Sequence, residues 1–94
     1  MHWVYVLEDQ IDRSWYIGAT SDIERRITEH LSGHGSRTTS LKEIWSLIYC
    51  EGYLSKQDAF GREKFLKSGA GRRFLKKQLK YYLNAPEADV RVLL

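Results

Sequence analysis

Two runs of β-branched and aromatic residues, separated by a mainly polar stretch, begin the chain. The first spans residues 3 to 7 (WVYVL) and is apolar without alternation, which is typical of a strand buried on both faces. Residues 8 to 14 turn the chain, and residues 15 to 18 (WYIG) form a second strand candidate. The short connection predicts a β-hairpin. Gly18 indicates that another group comes close to the backbone there.

A helix is predicted directly after this hairpin. Ser21 followed by Glu24 matches a capping box, in which each side chain satisfies a free backbone N–H at a helix start, so the helix should run from about residue 22 to 31. Apolar side chains recur at spacings of four and give it one stripe for the core: Ile23, Ile27 and Leu31. A neighbouring stripe is polar and comprises Asp22, Arg26 and His30.

The remaining segments complete a small α/β (α+β) domain. Residues 33 to 42 are rich in glycine and hydroxyl groups and predict a loop, and residues 44 to 53 predict a third strand. Ser55 with Asp58 caps a second helix to about residue 67, which Gly69 and Gly71 separate from a third. We expect a mainly antiparallel sheet of three strands flanked by about three helices, with a domain over residues 1–84 and a tail over 85–94.

The composition restricts the class of protein. A chain of 94 residues is long enough for one domain and too short for two. It has no run near 18 apolar residues and no recognisable secretory signal, so the expected location is cytoplasmic and no membrane partner is expected. A single cysteine, Cys50, lies in an apolar stretch, which is typical of a structural thiol and gives no support to redox or zinc chemistry.

Positive charge is concentrated late in the chain. Between Arg62 and Lys80 there are eight lysine or arginine residues and one acid, Glu63. Such a concentration indicates an anion-binding face, for which nucleic acid is the commonest polyanionic partner. A solvated helix face with no partner is the alternative.

The position of Glu63 in the second helix is unusual. At 100° per residue it falls between Ala59 and Phe60 and close to Leu66, on what should be the apolar stripe. A buried carboxylate without a partner costs several kcal/mol, so Glu63 requires a cation, a hydrogen-bond network or an opening to solvent. A structural ion pair with a nearby arginine or lysine and a metal-binding or catalytic role both remain open.

The order of the motifs resembles the GIY-YIG nuclease family over residues 3 to about 80. Tyr16-Ile17-Gly18 is literally the second of the two signatures that name the family. The first signature is degenerate, since Trp3 and Val4 replace its glycine and isoleucine and only Tyr5 is kept. Further segments follow in the family's order: Ala19-Thr20, Asp22 to Arg26, Glu29-His30, a Gly- and Ser-rich loop with Arg37, Trp45 to Tyr49, Ala59, and Arg62-Glu63-Lys64.

The resemblance implies roles for five residues. Tyr5 and Tyr16 match the two signature tyrosines, and Arg26 matches the family's catalytic arginine. His30 matches a histidine found in many members. Glu63 matches the acid that binds one divalent metal ion, usually Mg²⁺ or Mn²⁺. The implied activity is metal-dependent hydrolysis of DNA phosphodiester bonds.

The implied chemistry assigns a task to each group. A tyrosine with its ordinary pKa of about 10 is a poor base at neutral pH, so nearby positive charge must favour the phenolate. We expect Tyr5 to activate the attacking water, with Tyr16 and His30 orienting it or relaying its proton. Arg26 would hold the scissile phosphate through its planar fork of donors, and the metal on Glu63 would take the leaving oxygen.

The sequence gives less information about the branch of the family and about the residues that contact DNA. Ala19 stands where excision-repair members carry a lysine, which favours the small stand-alone or homing-enzyme-like branches. Basic residues are the expected phosphate contacts: Arg37, Lys64, Lys67, Arg72 and Arg73. Two competing hypotheses are a weakly active or inactive nucleic-acid-binding module and a protein-interaction domain. DNA repair, mobile-element cutting and restriction all remain open, as does a monomer or weak dimer.

Overall fold

The expected β-hairpin is present in the computed structural model, which describes residues 1–31 and 45–85. Strands β1 (His2–Asp9) and β2 (Trp15–Thr20) pair antiparallel, with Tyr5 opposite Gly18. β1 extends to the polar turn, where the amide of Asp9 donates a hydrogen bond of 2.9 Å to the carbonyl of Ser14.

A third strand completes the sheet. β3 (Trp45–Tyr53) pairs antiparallel with the other side of β1, so the strand order is β2-β1-β3. The pairing of β1 with β3 is irregular between Val6 and Leu7. Because β1 is the central strand, both of its faces are covered, which explains its apolar run without alternation. The predicted three-stranded antiparallel sheet is confirmed.

Helix α1 (Ile23–Leu31) follows the hairpin as predicted, but its capping residue was predicted wrongly. The Asp22 carboxylate, rather than the Ser21 hydroxyl, accepts a hydrogen bond of 3.1 Å from the backbone amide of Arg25. The cap therefore lies one residue later than the sequence pattern indicated. An ionised carboxylate is as good a cap as serine and also interacts favourably with the positive end of the helix dipole.

The second helix begins where its cap predicted. In α2 (Lys56–Leu66) the Ser55 hydroxyl accepts from the backbone amide of Asp58. The side chains of Ala59 and Leu66 are buried as expected, whereas Phe60 is half exposed, so the apolar stripe is narrower than predicted.

Residues 69–83 form two helices where the sequence predicted one. α3 (Gly69–Gln78) is capped by Ser68 and is followed by the short α4 (Lys80–Leu83). The backbone changes direction at Leu79, where φ is −105° and ψ is 23°. The described residues thus contain four helices rather than about three. Gly69 and Gly71, predicted to precede the third helix, lie inside α3, because Ser68 supplies the start signal.

The helices cover opposite faces of the sheet. Alternate residues of a strand point to opposite sides, so β1 contributes to two cores. One core joins Tyr5 and Leu7 to the α1 side chain of Ile27. The other core joins β1 and β2 to α2 and α3 and contains Val4, Val6, Ile17, Ala59, Leu66 and Leu75.

A polar network ties α2 to β3. The guanidinium of Arg62 donates two hydrogen bonds, of 2.9 and 3.0 Å, to the Glu51 carboxylate. The hydroxyls of Tyr49 and Tyr53 donate to the same carboxylate. Although burial acts in the opposite direction, these hydrogen bonds lower the pKa of Glu51. A bidentate arginine–carboxylate pair fixes the rotation of α2 about its axis and therefore the placement of the next residue, Glu63.

Several expectations concern the periphery of the domain. No helix in the two described ranges has the length and apolar character that crossing a membrane requires. Cys50 lies exposed on β3 rather than in the core. The loop expected over residues 33–42 and the tail beyond residue 85 lie outside the described residues. The limits 1–84 for the domain stay a prediction.

Candidate active site

Two tyrosines and a histidine form a cluster on the α1 side of the sheet. Tyr5 on β1 and Tyr16 on β2 have ring centroids 6.3 Å apart. His30, in the last turn of α1, lies 4.9 Å from the Tyr16 ring, centroid to centroid. The Tyr5 hydroxyl and the Nε2 atom of His30 are 3.0 Å apart and share a buried hydrogen bond. Three of the predicted site residues, distant in sequence, are therefore in contact.

Gly18 makes room for this cluster. A Cβ atom at Gly18 would lie 2.6 Å from the hydroxyl oxygen and 2.7 Å from the Cζ atom of Tyr5. The hydroxyl end of the Tyr5 ring therefore lies against the backbone of β2 at Gly18, which confirms the close approach predicted from the glycine. Any larger residue at position 18 would displace the phenol.

Burial controls the protonation of this cluster. Burial raises the pKa of Tyr5 well above its ordinary value, and neighbouring Tyr16 adds to the effect. The Arg26 cation opposes the shift, whereas the Glu63 and Glu29 carboxylates increase it. Tyr5 is therefore a neutral phenol in the protein alone.

The protonation equilibrium of His30 is shifted toward the neutral imidazole. Burial lowers its pKa, and the Arg26 cation lowers it further, while Glu29 opposes the shift. At neutral pH the ring is therefore uncharged, and its Nε2 lone pair can accept the Tyr5 hydroxyl proton. In the tautomer with its proton on Nδ1, the imidazole accepts this hydrogen bond from the phenol.

The His30 imidazole should make the free energy of unfolding depend on pH below about 6.5. A histidine with a lowered pKa binds fewer protons folded than unfolded, so its contribution to stability is present above that pH and is lost as pH falls through the folded pKa. Urea denaturation at about pH 7.5 and about pH 5 tests this for the native chain and for His30→Gln, which should lose less stability. Equal losses in both proteins would contradict the assignment.

Arg26 lies beside the tyrosine–histidine cluster on α1. Its side chain is 43% exposed, and its Nη1 atom lies 3.5 Å from a carboxylate oxygen of Glu29. Its positive charge lowers the pKa of both Tyr5 and His30. An exposed ion pair at this distance is weak, and Arg26 can exchange Glu29 for a phosphate at little cost.

Glu63 lies on α2, and its charge acts on Tyr5. Its side chain is 22% exposed, and one carboxylate oxygen lies 2.9 Å from the Lys67 ammonium, which matches the ion pair that the sequence left open. The negative charge of this carboxylate also contributes to the raised pKa of Tyr5. Glu63 therefore combines a structural ion pair with an electrostatic effect on the phenol.

The donors around Glu63 are compatible with magnesium or manganese. Among the described residues, no three His, Cys, Asp or Glu side chains converge as they would in an all-protein metal site. Mg²⁺ keeps several water ligands and is commonly held by one or two carboxylates together with substrate phosphate oxygens. A single accessible carboxylate whose present partner is a half-exposed lysine meets that requirement.

The residues predicted to contact phosphate are spread over two helices. Lys64 is exposed on α2, and Lys67, at its C-terminal end, is held by Glu63. Arg72 and Arg73 are exposed on α3, and the Arg72 guanidinium lies over the Trp15 ring. Arg37 lies outside the described residues.

Two acids near these groups were not identified from the sequence. Glu29 modulates Arg26, Tyr5 and His30, and its place in the motif next to His30 was the available signal. Glu8 is buried beneath Trp15 and Tyr82, and a glutamate directly following an apolar strand run was its signal.

Comparison with known proteins agrees with this fold. The model of the GIY-YIG catalytic domain matches residues 1–78. A UPF0213 protein of Streptococcus pneumoniae is 43% identical over 65 residues, covering 69% of this chain and 65% of its own length. A UPF0213 protein of Halobacterium salinarum is 39% identical over 67 residues, covering 71% and 86%. Several such matches, the pneumococcal one included, thus span slightly less than two thirds of the relative.

A solved structure also matches. The solution structure of the UPF0213 protein of Bacillus halodurans superposes with a TM-score of 0.51 and 36% sequence identity, over 90% of this chain and 87% of that one. It supports the α+β architecture of a three-stranded antiparallel sheet with helices on both faces. On the match over residues 1–78, this chain belongs to the GIY-YIG family, whose domain has a nuclease-type fold.

Proposed function

We propose that this protein is a metal-dependent DNA endonuclease that hydrolyses phosphodiester bonds. The observation that carries the proposal is the Tyr5 phenol, which shares a hydrogen bond with His30 and is influenced by the charges of both Arg26 and Glu63. Phosphodiester hydrolysis requires a nucleophile made from water, charge stabilisation at the phosphoryl oxygens and help for the leaving oxygen. The four side chains supply groups suited to these tasks.

The proton route begins at Tyr5. Its hydroxyl donates to the neutral His30 ring over 3.0 Å, so the imidazole can receive the phenolic proton while the phenol oxygen takes one from the attacking water. Tyr16, packed against both rings, restricts their orientation. Because burial disfavours the phenolate, the transfer needs added positive charge beside Tyr5.

Positive charge is available from two sources. Arg26 already lowers the pKa of Tyr5, and its half-exposed guanidinium can grip the scissile phosphate through two parallel N–H groups. Glu63 is the residue that would hold Mg²⁺ or Mn²⁺, and such an ion supplies charge stabilisation to phosphoryl and leaving oxygens. Glu63 must exchange its ion pair with Lys67 to do so.

Replacing Arg26 with alanine tests whether its guanidinium binds the scissile phosphate. We expect a fall of roughly 10- to 100-fold in Mn²⁺-dependent nicking, the value of one or two charge-assisted hydrogen bonds. Arg25→Ala is the matched control, since Arg25 is an exposed neighbour on the same helix. The assay uses supercoiled plasmid, flap, junction and single-stranded DNA, with and without the metal. Equal rates for the two folded variants would refute the role of Arg26.

A nucleic-acid-binding module with little or no catalysis is the second candidate. Tyr5 is only 1% exposed and the Glu63 carboxylate is engaged by Lys67, and both observations favour this alternative. Such a protein would retard DNA in a salt-sensitive gel assay and leave every substrate uncut with Mg²⁺ or Mn²⁺. Cutting that depends on Arg26 would exclude it.

A further inference from the structure

A cavity of about 400 Å³ lies on the face of the sheet opposite the tyrosine–histidine cluster. Side-chain alternation places it there, because Trp15 is adjacent in β2 to Tyr16 and the two point to opposite sides. The cavity, here called the hairpin cleft, lies between the β1–β2 turn and helices α3 and α4. It is lined by Glu8, Arg13, Trp15, Arg72, Lys76, Tyr82 and Leu83. Its volume is within the range of roughly 300–1,000 Å³ that small-molecule sites occupy.

The Glu8 carboxylate lies at the base of the hairpin cleft, where it is buried and hydrogen bonded. Glu8 accepts hydrogen bonds of 3.0 Å from both the Trp15 indole and the Arg13 guanidinium, and a further one from the Tyr82 hydroxyl. These contacts join the hairpin to α4 and neutralise the charge of Glu8. The carboxylate therefore organises the wall of the cleft and is not free to bind a cation.

Two cations at the cleft have no acidic partner among residues 1–31 and 45–85. Arg72 and Lys76 are one turn apart on α3, so their side chains share one face of the helix. The Arg72 guanidinium lies over the Trp15 ring at 5.6 Å, an arrangement that fixes its plane and leaves its N–H edge available. Such a preorganised arginine beside a lysine suits a tetrahedral oxyanion.

Arg13 places a third cation at the cleft, and the backbone at this residue is strained. Its φ of 65° lies in the left-handed region, which residues other than glycine rarely adopt. Glycine would be the less strained choice at this turn, yet an arginine is held here with its guanidinium at the cleft. The cleft thus presents two cations without an acidic partner in the described ranges, Arg72 and Lys76, and a third, Arg13, that is paired with Glu8.

We propose that the hairpin cleft binds a phosphate group, with Arg72 and Lys76 as its principal ligands and Arg13 as an auxiliary one. The phosphate belongs either to a free phosphate compound or to a nucleic-acid strand, and the chemistry of recognition is the same for both. The site is separate from the tyrosine–histidine cluster and does not depend on hydrolysis by that cluster.

The Trp15 indole provides a direct signal for binding, because its N–H is hydrogen bonded to Glu8 in the cleft wall. The ¹⁵N-labelled protein is titrated at fixed ionic strength, without divalent ions, with inorganic phosphate, thymidine monophosphate and a short oligothymidine. We expect a saturable shift of the Trp15 indole resonance. Saturation by the small phosphates assigns the site to free compounds, and saturation by the oligonucleotide alone assigns it to a strand. No saturable shift with any of the three overturns the proposal.

Matched variants test the ligands. Arg72→Ala/Lys76→Ala should weaken binding by at least roughly tenfold, whereas Lys77→Ala, an exposed neighbour on α3, should change it less than about twofold. Arg13→Gly removes the third cation while relieving the positive φ, so a folded variant with binding weakened by about threefold is expected. Equal affinities in the double variant and Lys77→Ala would overturn the proposal.

Discussion

Replacing Glu63 with glutamine should reduce Mg²⁺-dependent nicking of DNA by roughly 1,000-fold, equivalent to the loss of about 4 kcal/mol of transition-state stabilisation. Glutamine keeps the size and a carbonyl oxygen but removes the negative charge that would hold the cation. The carboxylate is partly exposed and its charge acts on Tyr5, so the expected loss is local to the proposed site. Single-turnover cleavage of plasmid DNA over a range of Mg²⁺ concentrations measures it.

Two controls separate metal binding from the ion pair. Lys67→Ala removes the partner of Glu63, and both variants should alter the free energy of unfolding by about 1 kcal/mol, the upper value for an ion pair that solvent still reaches. Glu24→Gln removes an exposed acid on α1 and should leave nicking unchanged. Calorimetric titration with Mn²⁺ should detect binding to the native chain and not to Glu63→Gln. Undiminished nicking by a folded Glu63→Gln protein would end the metal assignment.

Replacing Gly71 with alanine should destabilise the fold by about 3 kcal/mol or more. Gly71 is buried where α3 packs on the end of α2, and an added Cβ would lie 2.7 Å from the carbonyl carbon of Phe65 and closer still to its oxygen and to the Cα of Leu66. These are backbone atoms, so the clash cannot be relieved by a side-chain rotation. The helices would have to separate.

Gly61→Ala is the matched control for this prediction. Gly61 lies exposed in α2 and a Cβ there would meet no atom within 4 Å, so alanine should stabilise the helix by about 0.5–1 kcal/mol. Urea denaturation of both variants gives the two free energies. A loss of less than about 1 kcal/mol for Gly71→Ala would show that α2 and α3 pack less tightly than described.

Local sequence patterns predicted most of the fold. The apolar run of β1 indicated a central strand, and Ser55 with Asp58 placed the start of α2 correctly. The predictions failed where two signals competed. Asp22 displaced Ser21 as the cap of α1, and Ser68 started α3 ahead of two glycines that appeared to break it. Propensity patterns do not rank such neighbouring signals, because the choice depends on packing.

The contact among Tyr5, Tyr16 and His30 was predictable from the sequence, but the energetics of these side chains were not. The spacing of Arg26 and His30 on one helix indicated that they are neighbours, and Gly18 indicated close packing. The burial of the Tyr5 hydroxyl, which raises its pKa, arises from the assembled layers of the fold. An ion pair of Glu63 was one of the alternatives that the sequence left open, and the folded structure shows that it forms with Lys67.

The central position of β1 has a mechanical consequence. Tyr5 and Glu8 are three residues apart on this strand and face opposite sides, and the irregular pairing between Val6 and Leu7 lies between them. Deleting one residue of β1 between Tyr5 and Glu8 would invert the facing of every side chain on one side of the cut. Such a deletion would therefore turn either Tyr5 or Glu8 to the wrong face of the sheet and disrupt one of the two surfaces of the domain.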